Sequence, residues 1–423
     1  MMRKLLFLTA LFMSGYVVQA QSRGENYDET KVPVYTLPDP LICENGDPVT
    51  SIKQWETVRR PELLQLFATR LYGVTPQESI PVEYLQLDEK TDALDGKATC
   101  KQVGFRFTKN GRDIEAILLL YTPNAIKRKV PVFLSYNFMG NQSITPDKSV
   151  FVSPGLKYVK SPGDPSMVRG FQQSRWPLEM IIDAGFGVAT MCYHDIYPDK
   201  KDLKEESILP LFSDYAQTKD SPEAWQAVGA WAWGLSRIMD YLEQEDRVDA
   251  KQVVLMGHSR QGKATLWAGV QDERFAIVIS NDSGCGGAAI SKRRYGETLR
   301  IMTTSFPHWL CKAAEQYADN EDKLPFDQHE LIALVAPRPV YIASAEEDRW
   351  ADPKGEFLGG VHAGTVYELY GHKGLETTKM PGLNQSIMNR IGYHIRPGKH
   401  DVMDIDWQNY IRFAQLHLGL KKQ

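Results

Sequence analysis

The amino-acid sequence predicts an α/β fold, a mostly parallel central sheet flanked by helices on both faces. Three observations predict it. Short apolar runs alternate with longer amphipathic ones along most of the chain, and strands joined through helical crossovers lie parallel. The run Pro131–Tyr136 is continuously apolar and then turns polar, as a strand buried on both faces does. A second such run, Val253–Met256, leads straight into Gly257-His258-Ser259 and a helix.

The elements follow in order. Residues 21–50 read as an extended, Pro-punctuated lead-in. Ser51 is placed to cap a helix over Trp55–Arg70, where Leu63, Leu64, Phe67 and Leu71 recur at helical spacing. Strands are expected at Gly104–Phe107, Glu115–Tyr121 and Pro131–Tyr136. The stretch 141–173 is loop-rich, and long loops in compact domains are often functional. Helix at Trp176–Ala184, strand at Gly187–Cys192 and a strongly amphipathic helix at Trp225–Glu243 come next. The strand Gln252–Met256, the helix Arg260–Val270 and the strands Ala276–Ser280, Pro339–Ala343 and Thr365–Tyr370 continue the alternation. A short strand-like run at Ile391–Arg396 precedes a closing helix, Asp404–Leu418. No repeat or low-complexity linker interrupts 21–423, which reads as a single domain with long loop insertions.

The first 20 residues read as a leader. Arg3 and Lys4 precede an apolar run from Leu5 to Val18, and Val18-Gln19-Ala20 offers small residues for cleavage. The run is short for a membrane span, and no Cys closes it as a lipoprotein signal would. The chain is therefore expected to be exported, to the periplasm or beyond. A net charge of −4, with both signs interspersed, gives no basic stripe for nucleic acid. No membrane association and a monomeric state are expected. The five cysteines are an odd number, so one at least lacks an intramolecular partner, and one or two disulfides are open to the rest.

The chemistry centres on Ser259. A sharp strand-to-helix turn would lift its hydroxyl above the sheet edge, and the Arg260 N–H at the helix N-terminus could stabilise an oxyanion. That is the nucleophile elbow of an α/β-hydrolase fold, with one departure: the second glycine falls one position late, at Gly262. A serine needs a base and an orienting acid, in the chain order Ser, acid, His. Two histidines compete: His372, directly after the expected strand at 365–370, and His400, between the run at 391–396 and the closing helix. Two acids compete as well, Asp282 after the strand ending at Ser280 and Asp348 after the one ending at Ala343. The residues alone leave both choices open.

The segment Gly257-His258-Ser259-Arg260-Gln261-Gly262-Lys263 resembles the nucleophile motif of the glucuronoyl esterases, carbohydrate esterase family 15, displaced glycine included. The resemblance extends over nearly the whole chain after the leader. It takes in Asn137-Phe138-Met139-Gly140-Asn141, Ser174-Arg175-Trp176-Pro177, Tyr193 with Asp195-Ile196-Tyr197-Pro198, Asn281-Asp282-Ser283-Gly284, Phe306-Pro307-His308-Trp309, Glu347-Asp348-Arg349-Trp350 and Tyr393 to Asp401, and looks most like the bacterial branch. It implies His400 as the catalytic histidine, an acid on the loop of Asp282, and in bacterial members a further acid at Asp348. It implies that Arg260 supports the oxyanion and that Lys263, Glu297 and Trp350 hold the sugar. The implied substrate is a 4-O-methyl-glucuronate on xylan esterified to a lignin alcohol, as glucuronoxylan or a lignin–carbohydrate ester, with no metal or organic cofactor. Two rival functions remain: another carbohydrate esterase such as an acetyl-xylan esterase, and a glycan-binding relative that has lost catalysis.

Overall fold

The computed structural model describes residues 24–161 and 163–420. The expected leader at 1–20 lies outside the described residues. Among them, strands β1 (Val82–Ala93), β2 (Ala98–Lys109), β3 (Arg112–Pro123), β4 (Val130–Asn137), β5 (Gly187–Cys192), β6 (Val248–His258), β7 (Ile277–Asn281), β8 (Val340–Ala345), β9 (Ser386–Met388) and β10 (Ile391–Arg396) form one sheet. Its order is β1-β2-β3-β5-β4-β6-β7-β8-β10-β9. From β5 through β10 every neighbouring pair is parallel, and both edges are antiparallel. This is the α/β-hydrolase fold expected from the sequence.

Alternation along the central strands builds two cores. Val132 and Leu134 of β4, Val253 and Leu255 of β6, and Val340 and Ile342 of β8 face one side, against helices α1 (Arg60–Phe67), α3 (Ala227–Leu242) and α4 (Arg260–Gln271). Phe133, Val254, Met256, Ile279 and Tyr341 face the other, against α2 (Leu178–Asp183) and α7 (Asp404–His417) through Ile181, Trp407, Tyr410 and Phe413. Each fully buried large apolar side chain is worth roughly 1.5–3 kcal/mol, and these layers fix the strands whose C-terminal ends carry the site.

Three expectations change. Thr365–Tyr370, read as a strand, belongs to helix α6 (Gly364–Leu369), which follows α5 (Pro353–His362). Thr365 and Glu368 are exposed while Val366 and Tyr367 are buried, a three-residue period that so short an apolar run does not reveal. The strand at 104–107 is the middle of a twelve-residue β2, and β1 was not foreseen. β1 is an edge strand carrying Glu83, Asp88, Glu89 and Lys90, and such charges protect an edge while masking its alternation. All five cysteines are buried free thiols, so none is cross-linked.

Candidate active site

β6 ends at His258, and the chain turns into α4 through Ser259, whose backbone adopts φ 58° and ψ −133°. Such a conformation costs a non-glycine residue about 1–3 kcal/mol and persists only where its surroundings enforce it. Here the Ser259 N–H donates to the Asn281 carbonyl at 2.9 Å, and its own carbonyl accepts from the Gly262 N–H at 2.8 Å. The two glycines of the motif are both steric necessities. A Cβ on Gly257 would stand 2.3 Å from the Gln261 carbonyl oxygen, and one on Gly262 would stand 2.7 Å from the Ser283 Cβ. The close approach to the β7 loop falls at position 262 rather than 261, which accounts for the displaced glycine.

The Ser259 hydroxyl donates to His400 Nε2 at 2.8 Å, and the His400 Nδ1–H donates to Asp348 Oδ2 at 2.5 Å. His400 is 37% exposed while Asp348 is 3% exposed, so the imidazole faces the cleft and the carboxylate lies behind it. Asp348 follows β8 and His400 follows β10, which pair in parallel. The His400 loop is strapped by Arg396, whose guanidinium donates to the carbonyls of Pro397, Lys399 and Asp401 and to Asp406 on α7. His372 is not part of this array. It follows α6, where its N–H donates to the Tyr367 carbonyl, and it does not line the cleft.

The two acids divide sharply. Asp348 holds His400, whereas Asp282 lies deeper, with φ 46°, and among the described residues its carboxylate bonds only Arg396 Nη2, at 3.5 Å. Its Oδ1 is buried with no partner among the described residues. Burial, with the nearby charges of Glu356 and Asp348, pushes its carboxyl far above the usual range, outweighing Arg396, and keeps it protonated. Glu356 accepts from the Ser283 and Gly284 N–H groups and the Ser344 hydroxyl, yet full burial pushes its carboxyl up to about 8 against those bonds. Among the described residues, Asp282, Asp348 and His400 are the one set that brings three potential metal-ligand atoms within 4.8 Å. Both nitrogens of His400 are already engaged, so the arrangement suits proton transfer.

Around this core lies a cleft of about 340 Å³. Ser259, Arg260, Lys263, Asp282, Glu297, Asp348, Trp350 and His400 all line it, so the sequence-predicted residues converge. Lys263 Nζ donates to Glu297 Oε2 at 2.6 Å and to the carbonyls of Ser283 and Cys285, and the ion pair is almost wholly buried. The Glu297 N–H donates to the Trp350 carbonyl, tying these two loops together. His258 packs beneath His400 and bonds Asn281 Oδ1.

Three site residues were not assigned from sequence. Phe306 and Trp309 also line the cleft, stacked with centroids 4.0 Å apart, and Asp199 bonds Arg260. The aromatic pair belongs to the segment Phe306-Pro307-His308-Trp309. Asp199 lies just beyond another, and only folding reveals its contact across 61 residues.

The fold and this array define the chain as a carboxylic ester hydrolase of the α/β-hydrolase class. Residues 175–371 match the family described as glucuronyl esterase, fungi. The chain is 48% identical over 409 residues to a carbohydrate esterase from an unknown prokaryotic organism, covering 95% of this chain and 94% of that one. A 4-O-methyl-glucuronoyl methylesterase of Schizophyllum commune is 27% identical over 79% of this chain and 74% of its own. Among solved structures, a glucuronoyl esterase from Solibacter usitatus superposes with a TM-score of 0.87 at 45% identity, covering 92% of this chain and 99% of that one. The chain belongs to the glucuronoyl esterases, carbohydrate esterase family 15.

Proposed function

We propose that this protein hydrolyses the ester between a glucuronate, as in the 4-O-methyl-glucuronate side groups of xylan, and a lignin alcohol. The carrying observation is the continuous hydrogen-bonded line Ser259–His400–Asp348 opening onto a cleft whose other wall holds Lys263, Glu297 and Trp350. Their polar groups and flat indole face support a role in holding the acyl half of the ester. The family name of its relatives supports the glucuronoyl acyl group.

In this reading His400 takes the Ser259 proton as the hydroxyl attacks the ester carbonyl. Asp348 keeps the imidazole in the tautomer whose Nε2 accepts that proton and stabilises the imidazolium. The Arg260 N–H, at the start of α4, and its side chain bear the oxyanion. The protonated His400 gives its proton to the departing alcohol, leaving a glucuronoyl ester on Ser259. Water, activated by His400, releases glucuronate and regenerates the serine.

The reading takes residues 21–423 as one catalytic domain, acting as a monomer in the periplasm or outside the cell after removal of 1–20. No helix among the described residues is long and apolar enough to cross a membrane. The test is a substrate panel. Turnover of benzyl glucuronate with little release of acetate from acetylated xylan supports the proposal. Activity on acetyl esters alone makes the chain an acetyl-xylan-type esterase, and binding of glucuronoxylan without turnover makes it a lectin-like relative.

A further inference from the structure

Arg260 carries a long side chain with many rotamers, yet an oxyanion donor works only if it is already in place. The structure supplies what holds it. Asp199, on the loop beyond β5, lies with its side chain only 4% exposed. Its carboxylate accepts four hydrogen bonds. Oδ2 takes Arg260 NH1 at 2.5 Å and the Tyr193 hydroxyl at 2.9 Å. Oδ1 takes His308 Nε2 at 2.7 Å and Trp309 Nε1 at 2.8 Å. Four donors occupy the lone-pair sites of a carboxylate, so the group cannot turn.

The same carboxylate therefore joins α4 to the 306–309 loop. The Arg260 guanidinium lies over the Trp309 ring, 4.7 Å from its centroid, and 5.8 Å from that of Phe306. One hydrogen bond and one ring face together fix its plane. Its Nε is buried with no partner among the described residues, so that edge of the fork is not consumed by the protein. Burial would raise the Asp199 carboxyl, but the bonds from His308 and Trp309 and the Arg260 charge hold it well below the usual range, so the anchor is ionised.

We propose that Asp199 is a positioning residue for the esterase reaction, fixing the Arg260 side chain against Trp309 so that it meets the oxyanion without reorganising. The inference rests on the proposed role of Arg260 in the oxyanion site.

A double-mutant cycle on benzyl glucuronate tests it. Asp199→Asn should lower kcat roughly 10- to 50-fold with KM changed less than about threefold, the signature of an interaction made in the transition state. In an Arg260→Ala background the same substitution should cost less than about twofold in kcat. A full, additive loss in that background, or wild-type kcat for Asp199→Asn, would overturn the proposal. Arg260→Ala at the wild-type rate would instead overturn the oxyanion reading, and this inference with it. Should Asp199→Asn fail to fold by circular dichroism, Tyr193→Phe removes one neutral donor from the same carboxylate. It should lower kcat roughly three- to tenfold, and only while Arg260 is present; a loss that persists without Arg260 would contradict the proposal.

Discussion

The imidazole of His258 lies against that of His400, with ring centroids 4.4 Å apart and planes tilted by 40°. His258 is pinned by Asn281 Oδ1 at 2.5 Å, and its burial, with the charges of His400 and Arg175, drives its pKa far below the usual histidine range. It stays neutral and offers a packing face that does not repel the imidazolium of the proposed mechanism. His258→Ala should lower kcat on benzyl glucuronate roughly tenfold by loosening the base, a 1.4 kcal/mol effect. Steady-state kinetics on a variant with native circular dichroism checks this.

The unequal settings of the two acids give a sharper contrast. Asp348→Asn should cost roughly 10³–10⁴ in kcat, because an amide favours the wrong imidazole tautomer. Asp282→Asn replaces a carboxyl that is already neutral with a group of the same shape, and should cost less than about tenfold. Comparing the two kcat values on one substrate decides which acid serves His400.

Lys263 and Glu297 form a buried pair, so each depends on the other. Lys263→Met leaves the Glu297 carboxylate unpaired and should destabilise the fold by about 3–5 kcal/mol. The double variant Lys263→Met/Glu297→Gln should regain most of that stability while KM for benzyl glucuronate stays raised. Chemical denaturation and KM, measured on all three variants, separate the structural role from the proposed sugar-binding role.

Asp195 makes stability depend on pH. Full burial pushes its carboxyl up to about 8, against backbone hydrogen bonds from Gly155 and Ile117 that pull it down. Its folded pKa lies above the unfolded value of about 3.9. Its contribution is therefore complete below pH ~4 and is lost as pH rises from there through about 8, at up to about 1.4 kcal/mol per pH unit. Asp195→Asn should flatten the fall in denaturation midpoint between pH 5 and pH 8, whatever its effect at a single pH.

The site was more legible than its supports. Ser259 is legible because a buried strand, a serine between nearby glycines and a helix stand consecutively in the chain, and most of the cleft residues fall in the motifs named above, Glu297 being an exception. The choice between His372 and His400 was not legible from local pattern, since both follow apolar runs. Position in the sheet separates them, because one run is β10, beside β8, and the other is a helix. Asp282 and Asp348 look alike in sequence, and only the folded chain separates the one that bonds His400 from the one buried behind it beside Glu356. Asp199 and the Arg396 strap act across tens of residues through side chains, a scale that periodicity does not report.

The proposed mechanism requires a glucuronoyl group carried on Ser259. Quenching the enzyme in acid within its first turnover of benzyl glucuronate, digesting it and weighing the peptides reads this out. One added glucuronoyl mass is expected on the peptide containing Ser259, absent in Ser259→Ala. The acyl mass on another residue, or undiminished turnover by Ser259→Ala, would contradict it.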